Sequence, residues 1–318
     1  MNSKQCPFCS SHDCIRKGSQ EGHQRWQCKG CQKKFQGNHK ASVNEQELFC
    51  LYAFNKQTLR ELSLGYHKHT HVFQELFDRL VFKEKIHTPR AIALCVDTTF
   101  FEDFGVVVFR DERKKENLWW KFVDDERLEY YQEGRRHLLA LGYTLVSVTA
   151  DGLPGLPHIF EGIPFQFCHF HARKNITKYL TRRPRTEAGV QLQYIMHDLK
   201  YFTHETFRAT LKAWNEQYGD FLKEKTVHPD GSWSYTHRKL RSAIRSMLHM
   251  SVYLFTNQSR KDVYIPPTTN TLEGHFAHLK IRVACHRSIS TVRKQKIVHA
   301  ILLASSAEYK KGLPEVLF

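Results

Sequence analysis

The sequence predicts a mixed α/β protein that follows two small N-terminal modules, one of them held together by metal. Three observations lead to this prediction. Two Cys-x-x-Cys pairs stand near the N-terminus, a stretch of helical apolar periodicity follows them, and short β-branched runs then alternate with amphipathic segments. A chain of 318 residues is long enough for about two or three such domains with at least one sizeable core.

Cysteine spacing defines the first module, expected over residues 1–40. Two pairs, Cys6 with Cys9 and Cys28 with Cys31, form the pattern C-x2-C-x18-C-x2-C, which is typical of a four-thiolate zinc site. About 40 residues bury too little apolar surface to fold unaided, and bound zinc compensates with roughly 10–16 kcal/mol. We therefore expect a zinc ribbon, in which Cys14 is a less well spaced substitute ligand.

A helical module is expected over residues 43–83. Apolar residues at steps of three and four predict helices over 45–54, 58–64 and 69–82, with Gly65 ending the second. Two short helices, a glycine turn and a third helix are typical of a helix-turn-helix DNA-binding domain. A plain three-helix bundle would show the same periodicity.

The charge of the chain favours a polyanionic partner. There are 48 Lys and Arg against 32 Asp and Glu, a formal net charge of +16, and nucleic acid is the commonest polyanion in a cell. A solvated basic surface would give the same balance. The zinc ribbon suits DNA contact or protein contact, and the third helix of the next module would meet base edges or phosphates. The candidates for DNA contact here are Arg25, Lys33, Lys34, His69, His71 and Gln74.

An α/β domain is expected in two parts, over residues 90–175 and 265–318. Buried-strand patterns at 91–97 and 145–150 enclose two further apolar runs and an amphipathic segment, so the order is β-β-β-α-β. A charged turn at 110–117 joins the second strand to the third, which predicts three antiparallel strands in series. This order is that of the ribonuclease H fold, in which the first and fourth strands lie side by side.

Over residues 176–264 the strand patterns give way to amphipathic helical periodicity. This periodicity predicts a helical insertion between the two parts of the α/β domain. Basic clusters lie in it at 182–185 and 237–239. Its three amphipathic helices are marked by apolar residues at 192–202, 207–221 and 240–248.

Three carboxylates are candidates for a metal site. Asp97 and Asp151 each follow a buried strand, and ligands of open α/β sheets bind at the carboxyl ends of strands. Taken alone, Glu273 would be the third position of a helix cap opened by Asn270, but two aspartates beside it favour a ligand role. Three carboxylates within about 5 Å repel one another by roughly 3 kcal/mol per pair, and divalent metal is the natural remedy. Two Mg²⁺ or Mn²⁺ ions about 3.5–4 Å apart suit an in-line phosphoryl displacement.

Several segments from Asp97 onward form a recognisable set. They are Val96-Asp97-Thr98-Thr99, Gly142-Tyr143, Asp151-Gly152 with Gly155-Leu156, Cys168-x-x-His171 with Arg173-Lys174-Asn175, and Thr269-Asn270-x-x-Glu273 with Lys280-x-Arg282. Over roughly residues 93–287 the chain thereby resembles the DDE transposases of bacterial insertion sequences, in the Mutator-like superfamily. The N-terminal zinc ribbon and Gly274-His275 depart from the usual pattern of that superfamily.

The resemblance implies that Asp97, Asp151 and Glu273 are catalytic and bind the metal ions. The N-terminal modules would then bind terminal inverted repeats. The ribonuclease H-like domain would cleave a strand with metal-bound water, and the freed 3′-hydroxyl would attack target DNA. The expected partners are double-stranded DNA, at the transposon ends and the target, and further copies of the chain in a homodimer or higher oligomer. Further DNA contacts are expected from His171, Arg173, Lys174, Lys280 and Arg282.

Two other functions use the same residues. The first is a stand-alone ribonuclease H-like nuclease or resolvase. The second is a catalytically inactive DNA-binding regulator derived from a transposase, against which the presence of all three acids argues. The absence of an apolar signal region and of a run of roughly 18 apolar residues predicts a cytoplasmic protein of the bacterial nucleoid with no membrane contact. A reducing compartment favours metal-bound thiolates over disulfides among its nine cysteines.

Cys168 and His171 allow three interpretations. They could bind a second zinc with only two ligands in sight, form a nucleophilic couple, or order the loop after the fifth strand and hold His171 near the scissile phosphate. We expect the third. The remaining acids of the α/β domain stand in hairpin or turn contexts and are expected to be solvated, namely Glu102, Asp103, Asp124, Asp125 and Glu126.

Overall fold

A computed structural model describes residues 4–20, 23–36, 44–305 and 317–318 of the chain. The chain divides into two compact units, Met1–Val81 and Phe82–Phe318. No helix in the described ranges is long and apolar enough to cross a membrane.

The first unit begins with a three-stranded antiparallel sheet in the order β1-β2-β3. Trp26 lies opposite Phe35 in the register of the last two strands. Phe35 is buried together with Cys6 and Cys28, so the core of this sheet is small and centred on the cysteines. The strands are β1 (Cys14–Gln20), β2 (His23–Cys28) and β3 (Lys34–Gln36).

Three helices follow, as the apolar periodicity predicts. They are α1 (Glu45–Phe54), α2 (Leu59–Tyr66) and α3 (Thr70–Arg79). The prediction that Gly65 ends the second helix is wrong, because α2 continues through Gly65 to Tyr66. His67 ends it instead by adopting a left-handed conformation with φ of 52°, from which its N–H bonds the carbonyl of Ser63. The third helix is also shorter than predicted, since Leu80 is already extended.

The second unit contains a five-stranded mixed sheet in the order β6-β5-β4-β7-β8. Its strands and the helices between them are β4 (Ala91–Phe100), β5 (Gly105–Asp111), β6 (Glu116–Val123), α4 (Leu128–Ala140), β7 (Thr144–Ala150), α5 (Leu156–Ile159) and β8 (Phe165–Phe167). The β-β-β-α-β order is confirmed, and the first and fourth of these strands, β4 and β7, pair in parallel. β4 is longer than predicted, because it pairs with β5 as far as Phe100. Asp97 therefore lies inside the strand, near its end.

The two faces of this sheet differ in polarity, because successive strand residues point to opposite sides. Leu94 and Val96 pack with Tyr131 and Leu138 of α4 in the apolar core. On the other face, buried Thr149 donates a hydrogen bond to the carbonyl of Pro266 at 2.6 Å. That contact holds the segment leading to α11 (Asn270–Ala284), which covers this face together with α12 (Thr291–Ala304).

Helices between the two parts of the α/β region share one further core. They are α6 (His169–Leu180), α7 (Glu187–His197), α8 (His204–Tyr218) and α9 (Arg238–Leu254). A hairpin of β9 (Lys225–Val227) and β10 (Trp233–Tyr235) precedes α9, and the short helix α10 (Thr256–Ser259), which has no buried residue, follows it. The boundary expected between residues 175 and 176 falls inside α6. Ile176 and Leu180 of that helix pack with Leu192 and Leu211, so the helical region begins with α6.

Candidate active site and metal centres

Four cysteines of the first unit form a candidate metal centre. The sulfur atoms of Cys6, Cys9, Cys28 and Cys31 all lie within 4.8 Å of one another. Cys6 Sγ is 3.6 Å from Cys31 Sγ, and Cys9 Sγ is 3.5 Å from Cys28 Sγ. Tetrahedral zinc with Zn–S bonds of about 2.3 Å separates its sulfurs by about 3.8 Å. The cluster therefore has the spacing that zinc requires.

The pKa values of these thiols also favour a bound cation. The backbone N–H of Cys31 is the main cause that lowers the pKa of Cys28 to about 6. The pKa of Cys9 rises to about 12, since the sulfurs of Cys28 and Cys31 outweigh the lowering by the backbone of Ser11. Clustered thiols cannot all ionise without a positive charge among them. Cys14 packs beside these residues but is not one of the four grouped ligands, and its sulfur lies 3.6 Å from the carbonyl of Ser11.

A second candidate site lies on the face of the sheet that α11 covers. Asp97 comes from β4, Asp151 directly follows β7, and Glu273 lies in the first turn of α11. Burial raises the pKa of Asp97 well above its usual range, and the negative charges of Asp151 and Glu273 raise it further. Asp97 is thus within electrostatic range of both Asp151 and Glu273. Oxygen donors of this kind suit Mg²⁺ or Mn²⁺.

His171 lies between two of these carboxylates. Its Nε2 atom is 3.9 Å from Asp97 Oδ2, and its Nδ1 atom is 3.7 Å from Glu273 Oε1. Burial, reinforced by the charge of Lys174, lowers the pKa of His171 to about 4. His171 is therefore neutral near pH 7. Cys168 and His171 were expected to order the loop after the fifth strand, but the segment there is helical, with Cys168 directly before α6 and His171 in its first turn.

Cys168 contacts the residue that precedes α11. Its buried sulfur accepts a hydrogen bond from the backbone N–H of Thr269 at 3.3 Å. Ligand atoms of Cys168, His171 and Glu273 lie within 4.8 Å of one another, so Glu273 supplies the third ligand that the sequence did not reveal. Burial nevertheless raises the pKa of Cys168. The hydrogen bond from Thr269 favours the ordering role, because it joins Cys168 to the start of α11.

Glu126 is a fourth carboxylate of this site and was not predicted. It was expected to be solvated, but it is half-buried and accepts a hydrogen bond from the hydroxyl of Tyr131. Burial raises the pKa of Glu126, and the charge of Asp151 raises it further. No spacing rule distinguishes Glu126 from the exposed Asp124 and Asp125 beside it, since its partners Tyr131 and Thr98 lie in other parts of the fold.

A cavity of about 500 Å³ opens beside Asp151, with Phe167, Lys178 and Tyr179 among its lining residues. Gly152 is required at its edge, because a Cβ atom there would lie 1.8 Å from the ring of Phe167. Positive charge surrounds the same carboxylate. Although burial raises the pKa of Asp151, Lys178 and Lys174 lower it.

The predicted DNA contacts are distributed over both units. Lys33 lies 4.8 Å from the ring of Phe8, and the rings of His69 and His71 stack at 5.6 Å. Those that are exposed are Lys33, Lys34, His69, His71, Lys174 and Lys280. Those that are half-buried are Arg25, Gln74, His171, Arg173 and Arg282. Exposure leaves the first group accessible to a large partner.

No protein-family model matches this chain. Comparison with curated proteins gives no match either. The class of protein is therefore inferred from its residues and from the geometry of the two candidate sites.

Proposed function

We propose that the chain is a DDE transposase of an insertion sequence, which cleaves and joins DNA strands with divalent metal ions. The observation that carries this proposal is the electrostatic proximity of Asp97, Asp151 and Glu273, which come from three separate elements. The strand order β6-β5-β4-β7-β8, with β4 parallel to β7, supports a ribonuclease H-like domain.

Three of the four acids would bind metal, and the fourth, Glu126, would lie beside them. Asp97 is the most buried and interacts with Asp151, Glu273 and Glu126, so Asp97, Asp151 and Glu273 would hold the metal ions. When bound, the ions would activate water and stabilise the entering and leaving oxygens of a phosphoryl transfer. Glu126 would add negative charge at the edge of the site and strengthen cation binding.

Basic and neutral side chains around the acids would hold the DNA strand. Lys174 and Lys178 are close enough to lower the pKa of Asp151, and their ammonium groups would contact phosphates on either side of the reacting one. Neutral His171 would separate Asp97 from Glu273 and keep the two carboxylates oriented. It need not take a proton.

The N-terminal unit would recognise the ends of the element. In this proposal zinc bound by the four cysteines holds the ribbon, and α3 serves as the recognition helix of a helix-turn-helix. The exposed His69 and His71 at the start of α3 would face the DNA. The partners would be double-stranded terminal repeats and target DNA, bound by a homodimer or higher oligomer.

Strand transfer by the purified protein tests this proposal. A labelled duplex carrying the inverted repeats that flank the coding region is incubated with Mg²⁺ and a second, unlabelled duplex. Cleavage at the repeat end and covalent joining to the second duplex are expected. Cleavage without joining would instead indicate a nuclease or resolvase, and duplex binding with neither reaction in Mg²⁺ or Mn²⁺ would indicate a DNA-binding regulator.

A further inference from the structure

The helical region carries a basic groove that the proposed strand chemistry does not use. The groove lies between α8 and α9 and has a volume of about 560 Å³. Arg208 and Lys212 line it from α8, and Arg241 and Arg245 line it from α9. On each helix the two cations are four residues apart and therefore share one face, a spacing at which like charges destabilise a helix.

Few carboxylates offset these cations. The groove lining contains none. Of the four cations, only Lys212 has an ion pair within the described part of the chain, with Glu216 at 3.8 Å. Nearby acids are engaged elsewhere, since Glu224 Oε2 lies 2.9 Å from His237 Nε2. A concave surface of one charge sign attracts the opposite charge, here the phosphates of a polyanion.

A row of aromatic side chains continues from the groove onto the β9–β10 hairpin. The guanidinium of Arg241 lies 3.7 Å from the ring centre of Tyr235. Tyr235 contacts the ring of Trp233 with centroids 5.3 Å apart, and Lys225 Nζ lies 3.8 Å from the Trp233 ring centre. Trp233 remains 51% exposed, although a large aromatic side chain normally loses most of its contact with water. Cations and an accessible aromatic face thus form one continuous surface.

We propose that this groove and hairpin bind a single strand of nucleic acid. The four cations contact successive phosphates, and Trp233 stacks on a base. A duplex encloses the faces of its bases, whereas an unpaired strand offers both phosphates and base faces to such a surface. The inference does not rest on the proposed transposase activity, because none of these residues belongs to the carboxylate cluster.

Fluorescence anisotropy with a labelled fifteen-nucleotide oligo(dT) and the full-length, zinc-loaded protein tests the proposal. R208Q/R245Q should weaken binding at least about tenfold and reduce the slope of log K against log salt by about 1.4, at roughly 0.7 for each phosphate of a single strand. W233A should weaken binding about tenfold without changing that slope, and W233F should bind as the unchanged chain does. K114Q/K115Q removes the same charge from the exposed β5–β6 turn and should have little effect.

Other outcomes overturn the proposal. Equal losses for R208Q/R245Q and K114Q/K115Q would show attraction by net charge alone. A W233A variant that binds oligo(dT) normally would remove the stacking contact, and tighter binding of a fifteen-base-pair duplex would assign the groove to double-stranded DNA. Oligoglutamate that competes as well as oligo(dT) would point to an acidic protein. If the protein binds oligo(dT) as described but fails in the strand-transfer assay, the inference about the groove is supported and the transposase proposal is not.

Discussion

The sulfur of Cys168 accepts a hydrogen bond at 3.3 Å from the backbone N–H of Thr269, which lies 101 residues further along the chain. Cys168 precedes α6 and Thr269 precedes α11. The hydroxyl of Thr269 in turn donates to Glu273 Oε1 at 3.4 Å. This hydrogen bond joins the start of α6, which carries His171, to the start of α11, which carries Glu273. It therefore helps to position both side chains.

Replacing Cys168 tests this contact. C168A leaves the buried N–H of Thr269 without its acceptor, so we expect a loss of about 1–3 kcal/mol in the free energy of unfolding, measured in urea. Cleavage should also slow, because Thr269, which donates a hydrogen bond to Glu273, is no longer held by Cys168. C168S retains an acceptor and should cleave at nearly the original rate. A C168S protein of normal stability that no longer cleaves would support a nucleophilic Cys168 instead.

Asp151→Asn should abolish Mg²⁺-dependent cleavage while leaving the affinity for DNA unchanged or improved. An amide is a poorer ligand for Mg²⁺ than a carboxylate, and the substitution removes a negative charge from the region that is proposed to receive phosphates. Gel-based cleavage and anisotropy with the same duplex measure the two quantities. Asp125→Asn is the control, since Asp125 is exposed and paired with Arg127 at 2.8 Å. Normal cleavage by D151N would remove Asp151 from the site.

Glu126→Gln should raise the Mg²⁺ concentration at which cleavage is half-maximal without abolishing cleavage at saturation. The substitution removes one of the negative charges that act on Asp97, and so reduces the attraction for a cation. Cleavage rates measured over a Mg²⁺ titration show the shift. Tyr131→Phe removes the hydrogen bond to Glu126 but keeps its charge, and should shift the midpoint less. An unchanged midpoint for E126Q would mean that Glu126 does not contribute to cation binding.

Cys28→Ser should remove zinc from the protein and unfold the ribbon. A serine oxygen replaces one of four thiolates, and a sheet with so small a core depends on the metal for its stability. Metal analysis should find about one zinc per chain before the change and none after it. Cys14→Ser is the matched control, because Cys14 does not belong to the cluster, and should keep its zinc. Loss of zinc from both variants would place Cys14 among the ligands.

The contribution of His299 to the stability of the second unit should fall as pH decreases below about 6.5. Burial, together with Lys296, lowers the pKa of His299, and Trp120 Nε1 donates a hydrogen bond to His299 Nδ1 at 3.2 Å. The folded pKa lies below the unfolded value, so stability is fully present above about 6.5 and declines towards the folded pKa, as the unfolded chain takes up the proton first. Urea midpoints at several pH values measure the decline. His299→Asn keeps an acceptor but cannot titrate, so its midpoint should decline less.

Local patterns predicted much of this fold. The cysteine spacing predicted a cluster that Cys6, Cys9, Cys28 and Cys31 indeed form, and apolar periodicity predicted α1, the sheet strands and α4. The charged turn predicted the antiparallel series of β4, β5 and β6. The pairing of β4 with β7 was predicted from the β-β-β-α-β order of the ribonuclease H fold, since a helix between two strands permits a parallel crossover without fixing the partner strand. Asp97 and Asp151 could be placed side by side for that reason.

Contacts between residues far apart in the chain could not be predicted in this way. The position of Glu126 depends on the packing of Tyr131, and the anchoring of Glu273 depends on Cys168 and Thr269. The β9–β10 hairpin was missed as well, since its strands are only three residues each and carry no periodicity.

The sequence by itself determined the four cysteines that cluster, the order of the strands in the sheet, and three acids of which Asp151 and Glu273 both act on Asp97. Periodicity and ligand spacing are properties of neighbouring residues, so a single chain displays them directly. Only the tertiary structure decided that His171 separates Asp97 from Glu273, that Glu126 joins them, and that α8 and α9 share one basic groove. Packing between distant elements sets those positions, and no local pattern encodes it.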